Sequence, residues 1–182
     1  KETMKATGIV RRIDDLGRVV IPKEIRRTMR IREGDPLEIY TSNDGEVIFK
    51  KYSPIGEKSE HAAQVADIMH RLAGCPVAIF DRDHVVSVSG AAKKEWNARR
   101  VSPELEDLME QRKMYYAENG ASGMIPAEGV EKHAVACLPI ISAGDVTGAV
   151  AFLDDGSGAT VNHCQKTLIQ AASQFLGKQL ES

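Results

Sequence analysis

The sequence predicts an α+β protein of two domains, and two observations support that prediction. The first 52 of the 182 residues hold 12 basic and 9 acidic side chains, a net charge of +3, whereas the rest hold 12 and 17, a net of −5. Short β-branched runs dominate the first part, while helical periodicity alternates with pairs of strands in the second. Because opposite charge on two halves is typical of domains with different partners, we place a boundary near Tyr52.

Turn signals divide the first 52 residues into a β-β-α-β-β pattern. Pro22 suits the start of a helix, and Ile25 and Met29, one turn apart, are expected to face the interior. The predicted strands are 8–13, 18–21, 37–40 and 46–50, and the predicted helix is 23–30. So small a unit buries little apolar surface and contains neither a disulfide nor a metal motif, so we expect it to dimerise.

A basic segment lies inside this first domain. Eight arginines and lysines occur between Arg11 and Arg32, against only Asp14, Asp15 and Glu24. Surface ion pairs to these acids are the alternative interpretation, but three acids leave an excess of five positive charges. The guanidinium fork matches phosphate oxygens and the edge of guanine, which favours nucleic-acid binding. The candidate DNA-binding residues are Arg11, Arg12, Arg18, Arg26 and Arg27.

The segments TGIVRRIDDLGRVVIP and LGRVVIPKEIRRTMRIREGDPLEIY resemble the AbrB family of transition-state regulators, and the match runs from Met4 to about Pro54. The resemblance implies a swapped-hairpin β-barrel dimer at 4–53 that binds double-stranded DNA through a basic face. Family members use the arginines matching Arg11, Arg18, Arg26 and Arg27 to contact DNA, and Arg12 stands beside them. Antitoxins share this fold, so a protein inhibitor of a toxin is the alternative function.

The second half alternates helices with hairpins after a short linker at 52–56. Ser102 and Pro103 are a strong helix start, with acids near the positive end of the helix dipole. The last helix carries two apolar stripes, of which one can pack on the sheet and the other on a partner, so we expect self-association. The predicted helices are 57–73, 91–99, 102–117 and 161–180, and the predicted strands are 77–81, 85–89, 133–141 and 146–153.

This succession, with the segment LPIISAGDVTGAVAFL, resembles a GAF domain at 57–182, an α/β sandwich. The resemblance implies a role in assembly into a tetramer, with a small-molecule ligand as an open possibility, and no motif names such a ligand. Trp96 is expected in the core or in an interface rather than in a ligand pocket. The two halves together resemble sporulation regulators, activators and repressors that act on the nucleoid in the cytoplasm and in the forespore.

Catalytic and metal chemistry have no support in the sequence. Cys75, Cys137 and Cys164 form no CxxC pair and are expected to be small buried residues of a reducing compartment. A GAF-type methionine sulfoxide reductase would need reactive cysteines around a pocket, so we predict no enzyme, no cofactor and no metal site. No apolar run approaches a membrane span and no signal peptide is recognised, which predicts a cytoplasmic protein.

Overall fold

A computed structural model describes residues 3–118, 123–158 and 160–181 of the chain. The chain divides after Tyr52 into two compact units, which we call the amino-terminal unit and the carboxyl-terminal unit. Each unit has its own hydrogen-bonded sheet, of two strands in the first and five in the second. The α+β class predicted from the sequence is confirmed.

The amino-terminal unit contains one helix and one hairpin. Its elements are α1 (Lys23–Met29), β1 (Leu37–Thr41) and β2 (Val47–Lys51). The two strands pair antiparallel with Ile39 opposite Phe49, and Gly45 takes a φ of 83° in the turn between them. Glycine adopts this left-handed conformation without steric cost, so the predicted Asn-Asp-Gly hairpin is confirmed.

Two of the predicted strands are absent from the single chain. Residues 8–13 and 18–21 form no ladder in it, although both segments carry β-branched side chains. A strand needs a backbone partner, and the bond from the Asp14 N–H to the Arg18 carbonyl (3.0 Å) closes the turn between these segments without continuing into a ladder. The inward orientation expected for Met29 is wrong, because this side chain is 57% exposed.

The carboxyl-terminal unit is built on a five-stranded antiparallel sheet in the order β4-β3-β7-β6-β5. Ala143 (φ 49°) and Gly144 (φ 85°) form the tight turn between its two longest strands. The strands are β3 (Val77–Asp81), β4 (Val85–Ser89), β5 (Tyr115–Tyr116), β6 (Ala134–Ser142) and β7 (Asp145–Leu153). The helices are α2 (Pro54–Glu57), α3 (Ser59–Ala73), α4 (Lys93–Trp96), α5 (Pro103–Glu110) and α6 (His163–Gln179).

Helices cover both faces of this sheet. On one face, Val65 of α3 and Ile169 of α6 pack in a buried cluster that includes Val150 of β7. On the other face, Trp96 and Leu105 belong to a second buried cluster with strand residues such as Phe80 and Ala149. Trp96 is fully buried, as expected for a core aromatic. The unit is therefore a three-layer α/β sandwich.

Helix limits are where the carboxyl-terminal unit departs most from prediction. The helix predicted to reach residue 117 ends at Glu110, because Arg112 takes a left-handed φ of 53°. Lys58 (φ −105°, ψ 38°) interrupts the helix predicted at 57–73, and part of the predicted linker forms α2. The predicted helix at 91–99 is reduced to the four residues of α4. Among the cysteines, Cys75 and Cys137 are buried as expected, but Cys164 is exposed.

The last helix presents two faces of different burial. Ile169, Ala172 and Leu176 are buried against the sheet. Phe175, on the other of the two predicted stripes, is 52% exposed. On α3, Ile68 and Leu72 are also exposed, and α3 packs against α6. These two neighbouring helices therefore leave large apolar side chains in solvent.

Candidate nucleic-acid interface

Asp14 organises the turn that carries the first candidate arginines. Its Oδ1 accepts hydrogen bonds from the main-chain N–H groups of Leu16 (3.0 Å) and Arg18 (2.8 Å), and Gly17 N–H donates to its carbonyl oxygen (3.1 Å). Its Oδ2 accepts from Arg18 Nε at 2.8 Å, while 70% of the Arg18 side chain stays exposed. The turn therefore holds one edge of the Arg18 guanidinium, while most of the side chain remains open to solvent.

The same hydrogen bonds determine the acidity of Asp14. The main-chain N–H of Arg18 contributes most, the Arg18 side chain next, and together they hold the carboxyl pKa below its ordinary value of 3.8. Asp14 is consequently ionised at neutral pH and acts as a fixed acceptor for the turn. From the sequence, Asp14 was considered as an acid that could neutralise an arginine, and its hydrogen bonds to the turn were not predicted. Its position four residues before Arg18 could have indicated them.

Helix α1 carries Arg26 and Arg27, both exposed. Arg26 Nε donates to the carbonyl of Ile21 at 3.1 Å, which holds one edge of the guanidinium against the segment preceding the helix. The Arg26 carbonyl accepts from the N–H of Ile31 at 2.8 Å, which closes the carboxyl end of the helix around a left-handed Arg30. Arg26 is thus tied to the 18–21 segment, and Arg27 points into solvent.

Local neutralisation of the five arginines is slight. In the described part of the chain, the ion pair between Arg18 and Asp14 is the one that joins any of them to an acid. Arg11 and Arg12 are exposed, and Arg11 Nη1 donates to the carbonyl of Val10 (3.3 Å). The ion-pair alternative considered for this segment therefore applies to one arginine of the five.

A half-buried ionic cluster supports the loop between α1 and β1. Asp35 Oδ2 accepts from the N–H of Arg32 at 2.8 Å and lies 3.9 Å from its guanidinium and 4.0 Å from Lys51 Nζ. Lys51 Nζ also donates to the carbonyl of Arg30 (2.7 Å). Because the Asp35 side chain is only 11% exposed, these contacts fix the end of α1 relative to β2. This cluster was not predicted from the sequence, in which Asp35 is only an acid that follows a glycine.

The amino-terminal unit also exposes large apolar side chains. Val10 is 85% exposed, and Ile13, Val20 and Ile39 are also largely in solvent. Phe49 of β2 is 40% exposed. Where such side chains form a patch, they mark an interaction surface. The amino-terminal unit thus combines an apolar surface with positive charge.

The described residues contain little that points to other chemistry. Among residues 3–118, 123–158 and 160–181, no three His, Cys, Asp or Glu side chains come together in a way that could hold a metal ion. None of the helices described has the length and apolar character needed to cross a bilayer. The arginine surface is therefore the strongest candidate site in the chain.

The fold and the arginine surface define a class of regulator with a basic recognition unit followed by a GAF-type sandwich. Residues 57–181 match the family model described as "Stage V sporulation protein T C-terminal, transcription factor", and residues 10–57 match "Antidote-toxin recognition MazE, bacterial antitoxin". The chain is 46% identical over 180 residues to stage V sporulation protein T of Bacillus subtilis, covering 98% of this chain and 99% of that protein. It belongs to the stage V sporulation protein T family of transcription factors.

Two further similarities concern the units separately. The chain is 52% identical over 71 residues to the transition state regulatory protein AbrB of Bacillus subtilis, which covers 39% of this chain and 72% of AbrB. The GAF domain/HD domain protein from Geobacter sulfurreducens superimposes with a TM-score of 0.51 at 12% identity, covering 72% of this chain and 99% of that one. The resemblances to AbrB and to GAF domains that the sequence suggested are confirmed.

Proposed function

We propose that this transcription factor binds double-stranded DNA through a basic face formed by Arg11, Arg12, Arg18, Arg26 and Arg27. The observation that supports this most is that all five side chains are exposed while a single acid, Asp14, neutralises one of them. The chain is 52% identical over 71 residues to a transition state regulatory protein. Exposed guanidinium groups bind phosphates, and phosphate contacts position a protein on the duplex.

Two chains build the complete basic face. The exposed Val10, Ile13 and Val20, and the segments 8–13 and 18–21 that form no ladder in the described chain, support pairing with a second amino-terminal unit. In the swapped-hairpin barrel that the AbrB resemblance implies, these segments form strands with the partner. Burying their apolar side chains supplies the core that a unit of this size lacks alone.

The carboxyl-terminal units join such dimers into a tetramer. Ile68 and Leu72 of α3 and Phe175 of α6 support a contact in which the two helices pack against the same helices of another copy. A GAF fold also binds small molecules in many proteins, and a ligand that alters DNA binding is part of the proposal without an identified compound.

The test is a salt titration of DNA binding by fluorescence anisotropy with the full chain. Arg18→Ala combined with Arg26→Ala removes two cations per chain, and each lost phosphate contact lowers the slope of log K against log salt by about 0.9. We expect weaker binding and a slope shallower by about 2 per chain engaged. Arg71→Ala with Lys113→Ala, two exposed cations of the other unit, is the matched control. Unchanged affinity and slope in the arginine variant would refute the basic face.

Toxin inhibition is the second candidate, since residues 10–57 also match an antitoxin family model. The carboxyl-terminal unit argues against it, because residues after 53 form a packed sandwich rather than an extended segment that wraps a partner. Purification of the chain from a native host, followed by mass spectrometry, separates the two. A stoichiometric small protein that suppresses DNA binding would favour the antitoxin function.

The proposal also places the protein in the cytoplasm, on the nucleoid, and without catalytic activity. A relative named for stage V of sporulation supports control of sporulation-stage genes and presence in the forespore. Fractionation of sporulating cells with an antibody to the chain tests the location. Turnover of methionine sulfoxide that thiol alkylation abolishes would overturn the non-enzymatic assignment.

A further inference from the structure

A second group of cations lies in the carboxyl-terminal unit. Residues 82–100 hold five arginines and lysines and two acids, a net of +3, in a unit whose net charge is −5. The rest of that unit therefore carries a net of −8. We call this group the basic edge; its members are Arg82, Lys93, Lys94, Arg99 and Arg100.

The fold brings these residues to one margin of the sheet. Beyond β4, which is an edge strand, the chain pairs back on itself: Val85 N–H donates to the Arg99 carbonyl and Val101 N–H donates to the Asp83 carbonyl, both at 2.9 Å. Arg99 Nε donates to the carbonyl of Glu95 at 2.8 Å, which fixes it to the short helix α4. Since α4 carries both lysines and packs on β4, cations from three segments share this margin.

The charge of the basic edge is not cancelled locally. Within the described ranges, the ion pairs involve other residues, and none includes Lys93, Lys94 or Arg99, all of which are exposed. Arg82 has a buried Nε without a hydrogen-bond partner in the described structure.

The surroundings of the basic edge favour phosphate over a protein partner. Interfaces between proteins centre on buried apolar or aromatic anchors. Among residues 73–113, all of them described, no large hydrophobic side chain is exposed; Leu72 and Met114 flank the interval. Lysines act as point charges toward phosphate without reading sequence, as contacts to the DNA backbone require.

We infer that the basic edge is a second DNA contact, which binds backbone phosphates of the same duplex that the arginines of the amino-terminal unit engage. This inference rests on the proposed function. Beyond that function, it assigns DNA contacts to the carboxyl-terminal unit, although the net charge of this unit is negative. The contact is independent of base sequence, and it requires a duplex long enough to reach beyond the arginine face.

The test compares the full chain with Lys93→Gln/Lys94→Gln on duplexes of increasing length. Both lysines are exposed on the first turn of α4, so glutamine preserves the fold while removing two charges. On long duplexes, the variant should show a slope of log K against log salt that is shallower by about 2 per chain engaged. Raising the salt from 50 to 200 mM should therefore weaken its binding by a factor roughly 12-fold smaller than for the unaltered chain. On duplexes too short to reach the edge, the two proteins bind alike.

Lys113→Gln/Lys178→Gln removes two exposed lysines outside the edge and serves as the matched control. Equal slopes for the edge variant and the control on every duplex would overturn the inference. If the lysine substitutions have no effect but Arg18→Ala with Arg26→Ala weakens DNA binding, only the inference about the basic edge fails. If neither pair of substitutions changes DNA binding, the proposed function fails as well. A change of native mass in the edge variant without DNA would identify the edge as a contact between copies, which also overturns the inference.

Discussion

Replacing Phe175 tests whether the exposed faces of α3 and α6 join copies of the chain. The side chain is 52% exposed in the single chain. A phenylalanine buries about 150–250 Å² when fully covered, so about 100 Å² remains available for a partner. At about 25 cal/mol per Å² this area contributes about 2.5 kcal/mol per chain, or about 5 kcal/mol for the two copies in a symmetric contact.

The variant Phe175→Ser loses most of that contribution, so we expect the dissociation constant of the contact to rise by about three orders of magnitude. Sedimentation equilibrium over a range of protein concentrations measures it. At protein concentrations where the unaltered chain forms the proposed tetramer, the variant should form only a dimer held by the amino-terminal units. Thermal unfolding should change little, because the side chain lies outside the buried cluster of α6.

Gln174→Ser provides the control, since Gln174 is exposed on the same turn of α6 and carries no apolar area of comparable size. Its association should match that of the unaltered chain. Two outcomes would contradict the reasoning: equal association of the Phe175 variant, or equal loss in both variants, which would indicate a general disturbance of the helix rather than a lost contact.

Three further outcomes follow from single contacts. Ser102→Ala removes the hydroxyl that caps α5 and should lower the free energy of unfolding by about 1 kcal/mol in denaturant titrations, with Ser102→Thr losing less. In an NMR titration, Asp14 should ionise below pH 3.8, so its bonds to the turn persist above that pH and are lost as the pH falls; Arg18→Ala should raise the pKa only part-way, because the main-chain N–H remains, and no change would contradict this cause. Burial raises the pKa of Cys75 to about 11, so a thiol reagent at pH 8 should label Cys164 in the native chain and Cys75 only after denaturation; early labelling of Cys75 would be contrary to that burial.

Features with a local physical cause could be predicted from the sequence. The turn at Ala143 and Gly144 and the cap at Ser102 depend on residues within a few positions of one another, and both occur as predicted. The end of α5 could not be predicted, because Arg112 adopts a left-handed conformation that non-glycine residues seldom take. The Arg112 side chain donates to the carbonyl of Gly144, 32 residues away, a tertiary contact that no local pattern reports.

In the candidate site too, residues chosen from local sequence were predicted, and those that depend on tertiary contacts were not. Charge and the resemblance to AbrB together selected Arg18 and Arg26, and both side chains are exposed with their Nε atoms held by a turn or main-chain contact. Their contact with DNA stays a prediction. The supporting role of Asp35 was missed, because its partner Lys51 lies 16 positions away and is brought near by the β1–β2 hairpin. Residues that support a binding surface from below are therefore harder to predict from the sequence than the charged residues on it.

The first residues of the carboxyl-terminal unit determine how long the connection between the two units is. Ile55 is 1% exposed within the core of its own unit, and Ser53 Oγ already accepts from Gly56 N–H at 2.9 Å. Tyr52 N–H still donates to Pro36 in the first unit. The covalent joint between the units is therefore the single peptide bond from Tyr52 to Ser53. Lengthening the chain between these two residues should leave both units folded.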